Sequence, residues 1–72
     1  MEIDKAVVAM EADNLVEYNG QSWYILFLDR LHGICTLSDH AAGYRGTMKT
    51  KPDVRIADLK LRERRRNSEI KN

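Results

Sequence analysis

Residues 22–28, with the sequence SWYILFL, form an uncharged run of aromatic and large aliphatic side chains that begins with a single serine. Turn-forming residues bound this run on both sides, with Asn19-Gly20 before it and residues 29–33 after it. An apolar run of this length between two turns is typical of a β-strand that is buried on both faces. We therefore expect the rest of the chain to be arranged so that it covers this strand.

The dipeptide Asn19-Gly20 stands between two strand-like segments, residues 15–18 and 21–28. It is the strongest short-range signal for a β-hairpin, because a type I′ turn needs positive φ at both central positions. Residues 29–33 supply a second turn, and residues 34–37 follow as a third, β-branched strand. The sequence thus predicts three consecutive antiparallel strands joined by short turns.

The start of the chain is ambiguous between helix and strand. Ile3, Val7 and Met10 fall at helical spacing, and the alanines among them favour a helix. Periodicity does not separate helix from strand in so short an apolar run. We expect a short helix or an irregular lead-in over residues 1–13, with a first strand over residues 6–10 as the alternative.

The second half of the chain begins with a loop and returns to a strand. Residues 38–52 contain two glycines, a proline and no sustained alternation, which predicts a loop of about a dozen residues. Alternation resumes over residues 53–61, where Val54 and Ile56 are predicted to point inward and Arg55 outward. A loop this long in a small domain is usually functional or mobile.

The chain is predicted to close with a tight turn at residues 57–59, after which Leu61 docks on the core. Residues 62–72 are almost wholly polar. They cannot bury enough apolar area to offset the entropy lost on ordering, so a disordered basic tail or a frayed helix is expected. The predicted organisation is one small domain over residues 1–61, followed by this tail.

The predicted order of elements resembles an SH3-like small β-barrel. Short strands with close connections come first, followed by a long loop and a closing strand that ends in one turn. The segments that carry the resemblance are residues 15–20, 23–28, 34–37 and 54–61. It implies a mainly β fold of four to five antiparallel strands. It is also similar to modules of phage, plasmid and transposon proteins that contact DNA or another protein. The acidic, aromatic-rich loop of peptide-binding SH3 domains is missing, which argues against capture of proline-rich peptides.

Size and composition limit what the chain can be. A domain of 72 residues buries only about 60% of its unfolded surface, so its net stability is a few kcal/mol. Cys35 is the single cysteine, which indicates either a reducing compartment or a thiol that simply packs as a small hydrophobe, and we expect a buried strand residue. No segment has the roughly 18 apolar residues of a membrane span, and no signal peptide is evident. We expect a cytoplasmic protein with no membrane partner.

Charge is divided unequally along the chain. Residues 1–29 hold one base and six acids, a net of −5, whereas residues 30–72 hold eleven bases and five acids, a net of +6. Either the two halves attract one another, or the basic half binds a polyanion. Basic segments of this kind bind the phosphates of DNA or RNA in a salt-sensitive way, and an aromatic side chain among them can stack on a base. The candidate residues are Tyr44, Arg45, Lys49, Lys51, Arg55, Arg62, Arg64, Arg65 and Arg66.

A competing hypothesis concerns the central strand. Its side chains point alternately to two faces, and a small barrel has only one interior. One set therefore lies outside, unless residues 2–12 or 38–52 cover it. The set expected outside is Trp23, Ile25 and Phe27. An exposed apolar stripe of this kind predicts a protein partner or a homodimer.

Catalysis and metal binding have little support in the sequence. A nucleophilic Cys35 would need His32 or His40 as its base, and no third residue is placed to orient either histidine. Both histidines are expected to be solvated loop residues. One cysteine and two histidines match no structural zinc spacing. We expect a non-enzymatic accessory or regulatory protein without a metal, a cofactor or a small-molecule substrate.

Overall fold

A computed structural model describes residues 1–61, so the predicted tail, residues 62–72, lies outside the described residues. The described chain consists of a helix, five strands and a 3-10 turn: α1 (Ile3–Glu11), β1 (Val16–Tyr18), β2 (Gln21–Asp29), β3 (Ile34–Ser38), β4 (Thr50–Arg55), the 3-10 turn (Ile56–Asp58) and β5 (Lys60–Leu61). The mainly β fold class is confirmed.

The five strands of the described chain form one antiparallel sheet in the order β4-β3-β2-β1-β5. β1 to β4 form a meander, and β5 returns to pair with β1. This order is compatible with an SH3-like small barrel. Within residues 1–61 no ladder joins β4 to β5, so the sheet is open at these two edges.

The hairpin between β1 and β2 turns at Asn19-Gly20, as predicted. Both residues have positive φ, 52° for Asn19 and 77° for Gly20. Tyr18 pairs with Gln21, so the connection has only these two residues. Positive φ at both positions is the type I′ geometry, whose twist matches that of the flanking strands.

The turn between β2 and β3 is held by Asp29 and Gly33. The backbone N–H of His32 donates to Asp29 Oδ1 at 3.1 Å, and the N–H of Gly33 donates to the Asp29 carbonyl at 2.9 Å. Gly33 has a φ of 67°, which few residues other than glycine adopt without strain. Its carbonyl accepts the N–H of Ile56 at 2.9 Å, which ties this turn to the 3-10 turn.

The ambiguous N-terminal segment is a helix and not a strand. Ala6 and Ala9, one helical turn apart, are 0% and 2% exposed, because α1 lies against β2 and the 3-10 turn. Two alanines on the contact face let the helix approach the sheet closely, while Val8 on the other side is exposed. α1 spans nine residues, and no helix within residues 1–61 has the length and apolar character of a membrane crossing.

The central strand β2 does not keep one alternation along its whole length. In its ladder with β3, Ile25 pairs with Leu37 and the next pair is Phe27 with Thr36. Between these two pairs β2 advances by two residues, whereas β3 advances by one. This irregularity is a β-bulge at Leu26. Because side chains alternate with a period of two, one extra residue reverses the faces of all that follow. The bulge therefore sends Phe27 outward.

The predicted outer stripe of Trp23, Ile25 and Phe27 is consequently wrong as a continuous surface. Ile25 belongs to the core and is 5% exposed, and Trp23 is half-buried against that core. Of the three, only Phe27 is exposed, with 65% of its surface accessible. The physical reason is the bulge, which puts Ile25 and Phe27 on opposite faces although they are two residues apart.

The segment over residues 53–61, predicted as the closing strand and turn, follows the prediction in part. Val54 and Ile56 are buried and Arg55 is exposed, as their alternation indicated. The prediction that Leu61 docks on the core is wrong, because Leu59 takes that place at 2% exposure. Leu59 directly follows the 3-10 turn in an extended conformation, whereas Leu61 lies in the edge strand β5 and is 51% exposed.

Candidate nucleic-acid interface

The predicted basic residues of the described chain lie on β4 and on the loop that precedes it. Arg45 and Lys49 belong to this loop, and Lys51 and Arg55 belong to β4, which is an edge strand of the sheet. All four side chains are exposed, and no ion pair within residues 1–61 engages them. Exposed cations on an edge strand also protect it from pairing with another sheet. We call these four residues the basic edge.

Acidic residues reduce the charge of this region. Over residues 39–55 the four bases of the basic edge stand against Asp39 and Asp53, a net of +2. The Asp39 carboxylate accepts the backbone N–H of Lys49 at 2.9 Å, and the Asp39 N–H donates to the Lys49 carbonyl at 3.1 Å. These two bonds close the base of the loop. The backbone of Lys49 is therefore held in place at the start of β4.

Tyr44, the predicted stacking residue, is already engaged inside this loop. Its ring is stacked on the imidazole of His40, with centroids 3.7 Å apart and planes 10° from parallel. A methyl group on Gly46 would lie 2.6 Å from the Tyr44 hydroxyl oxygen, so the loop backbone also approaches the ring closely. One ring face is thus covered by His40. The geometry makes Tyr44 an anchor of the loop conformation, and its contact with a base stays a prediction.

A different aromatic residue, Phe27, lies on the outer face of the sheet. Phe27 pairs with Thr36, and the next outward row along the strands contains Asp29, Ile34 and Arg55. Phe27 therefore shares a face with Arg55 of the basic edge, one row away and two strands across. Sequence reasoning placed Phe27 in an apolar stripe and missed this neighbour, because the bulge at Leu26 leaves no local signal in the sequence.

Asp29 is the acidic residue of the outward row next to Phe27. His32 Nδ1 lies 2.8 Å from Asp29 Oδ2. The side-chain hydrogen bond with His32, assisted by the backbone hydrogen bond from the same residue, holds the pKa of Asp29 below its ordinary value. The carboxylate thus stays ionised at neutral pH and places one negative charge at the end of β2 on this face.

Cys35 is the buried strand residue that the sequence predicted. It is 3% exposed, and burial raises the pKa of its thiol to about 11. The thiol is therefore protonated at neutral pH and out of reach of a substrate. Of the two histidines that could serve as its base, His32 is paired with Asp29 and His40 is stacked on Tyr44.

Raising the pH above 9 should lower the free energy of unfolding through Cys35. The unfolded thiol ionises near its ordinary pKa of 9.0, whereas the folded thiol keeps its proton until about 11. Between these values unfolding releases a proton, so this contribution is complete below 9 and is lost as the pH rises toward 11. Urea unfolding across this range measures it. Cys35→Ala should lose this part of the pH dependence, and an identical slope in both proteins would contradict the prediction.

The described residues offer no obvious metal or ligand site. Within residues 1–61 no group of three or more histidine, cysteine, aspartate or glutamate side chains converges on one point. An open, mainly apolar depression lies where the start of α1 meets the 3-10 turn. Its walls are formed by Met1, Glu2, Ile3, Asp4, Gly33, Ile56 and Ala57. Its two acids, Glu2 and Asp4, are exposed.

Comparisons of the chain with known protein families, with curated proteins and with solved structures found no match. The function of the chain must therefore be inferred from its own residues. The four bases of the basic edge lie on one loop and one strand. The other four predicted bases, Arg62, Arg64, Arg65 and Arg66, lie outside the described residues.

Proposed function

We propose that this protein is a small non-enzymatic accessory protein that binds DNA or RNA through the phosphate backbone. One observation carries the proposal: the basic edge presents four exposed cations, without ion-pair partners among residues 1–61, on one edge strand and its preceding loop. Cations in such an arrangement neutralise phosphates and release the counterions condensed on the nucleic acid. Contacts of this kind give affinity and orientation but little sequence preference.

Two further features support a polyanion as the partner. Residues 62–66 directly follow β5 in sequence and add four bases against one acid. Helix α1 carries exposed acids at its N-cap, in its first turn and at its last residue, namely Glu2, Asp4 and Glu11. These acids repel phosphates, so the protein would bind with the basic edge toward the nucleic acid and with α1 turned away from it.

Removing two cations from the basic edge should weaken binding and reduce its salt dependence. In the double variant Lys51→Gln/Arg55→Gln, the negative slope of log affinity against log salt should become shallower by roughly 1.4 for single strands and 1.8 for duplex DNA. Each lost phosphate contact removes about 0.7 or 0.9, respectively, from the magnitude of the slope. Fluorescence anisotropy of labelled mixed-sequence DNA and RNA at several salt concentrations measures both quantities.

The matched control is Lys5→Gln/Arg30→Gln, which removes the same charge from exposed positions outside the basic edge. Arg30 makes only an exposed contact of 3.5 Å with Asp4, so its loss should not affect folding. The control should keep the slope of the original protein. An equal loss in both double variants would mean that only net charge matters, and no binding by the original protein at low salt would refute the proposal.

A further inference from the structure

We infer that the outer face of β2, β3 and β4 binds single-stranded nucleic acid, with a base stacked on Phe27 and a phosphate at Arg55. The inference rests on the proposed function and adds that the bound nucleic acid is single-stranded. It also replaces Tyr44 by Phe27 as the aromatic residue that contacts a base.

The first step concerns the exposure of Phe27. Its side chain is 65% exposed because the bulge at Leu26 turns it away from the core. The residues on either side of it in the strand, Leu26 and Leu28, are at most partly exposed. A flat aromatic ring that stands out from a sheet offers a face on which any base can stack, since every base has a π face.

The second step concerns the neighbours of Phe27 on this face. Thr36 lies directly across from it on β3, and Arg55 lies one row along and two strands across. From the spacing of strands and rows, the Cα atoms of Phe27 and Arg55 are about 12 Å apart. An extended arginine side chain and one nucleotide can together cover this span. Stacking and phosphate contact are thus compatible on the same strand of nucleic acid.

The third step gives the direction of the bound strand. Asp29 is ionised at the β2–β3 turn and repels phosphates there. Arg55 lies on the opposite side of the face, in the edge strand β4, whereas Lys51 pairs with the core residue Leu37 and so belongs to the other face of the sheet. The phosphate would therefore lie at Arg55 on the β4 edge, with its base directed toward β2. The cation at Arg55 fits a phosphate better than it fits an apolar partner surface.

The choice of a single strand follows from the stacking contact. In a duplex both faces of each base are covered by neighbouring bases, whereas an unpaired base can stack on an aromatic side chain. A second copy of the chain fits less well. Phe27 is flanked by the charged residues Asp29 and Arg55 and by half-buried Ile34 and Thr36, so the apolar area available is small for a stable interface, which needs about 1,000 Å².

The test compares three probes of one sequence: an oligothymidine strand, the same strand with abasic sites in place of its bases, and its duplex with oligoadenine. Phe27→Ala should lower affinity for the intact strand by roughly 5- to 150-fold, the usual range for loss of one stacked base. Its affinity for the abasic strand and for the duplex should be unchanged, and so should the salt slope. Phe27→Trp should bind the intact strand at least as well as the original protein.

The control variant is Leu31→Ala, which truncates another exposed apolar side chain, 87% exposed, in the β2–β3 turn. It should leave all three affinities unchanged. If Phe27→Ala binds the intact strand as the original protein does, with salt-sensitive binding retained, the inference fails and the proposed function stands. If Phe27→Ala weakens all three probes equally, or turns a dimer into a monomer in ultracentrifugation, the stacking role is refuted. Failure of the original protein to bind any probe would overturn both.

Discussion

Leu59→Ala should destabilise the protein by about 2–5 kcal/mol, which is enough to unfold a domain whose net stability is only a few kcal/mol. Leu59 is 2% exposed and belongs to the core. Its truncation would leave a cavity that so small a core cannot easily fill. The matched control is Leu61→Ala, two residues further on, where the side chain is 51% exposed. This control should cost about 1 kcal/mol or less, because half of the side chain is already in water.

Urea unfolding followed by Trp23 fluorescence and by far-UV circular dichroism measures the difference between these variants. Trp23 packs against the core, so its emission should change when the core is lost. Equal costs for Leu59→Ala and Leu61→Ala would contradict the described end of the chain. They would mean that the 3-10 turn does not place Leu59 in the core.

Ala6→Asp should also unfold the protein or detach α1 from the sheet. Ala6 is 0% exposed, and a carboxylate at that position would be buried without a charged partner, at a cost of several kcal/mol. Val8→Asp adds the same charge two residues along the same helix, where the side chain is 62% exposed. It should change stability by about 0.5–1 kcal/mol, the usual range for a surface substitution in a helix.

Amide peak dispersion in NMR spectra and the helical circular dichroism signal separate the two outcomes. Ala6→Asp should regain structure as the pH falls, because the protonated carboxyl carries no charge to bury. If both aspartate variants keep the original spectra at neutral pH, then α1 does not pack on the sheet through Ala6. Unfolding of both variants would show that this helix tolerates no added charge at all.

The part of the site that could be predicted from the sequence is the part that depends on composition. Exposed lysines and arginines can be recognised without a structure because long charged side chains are rarely buried. The exposure of four bases could be predicted in this way: Arg45, Lys49, Lys51 and Arg55. The role of Phe27 could not be found in this way, because its direction depends on how β2 pairs with β3. Nor does the sequence reveal that His40 covers one face of Tyr44, since that contact depends on the path of the loop.

Where the sequence by itself determined the fold, the cause was local. Asn19-Gly20 specifies its turn because both positions must adopt positive φ, and Val54 and Ile56 face inward because a strand alternates with a period of two. These constraints act within a few residues, so they can be inferred from the chain alone.

The tertiary structure decided what a short apolar run leaves open. The N-terminal segment is a helix whose alanine face, Ala6 and Ala9, lies against β2 and the 3-10 turn. The bulge at Leu26 places Ile25 in the core and Phe27 outside. In both cases the deciding free energy comes from apolar surface buried between segments that are distant in sequence. No local sequence pattern reports this free energy of burial. Only the packed chain therefore determines which side chains remain exposed for binding.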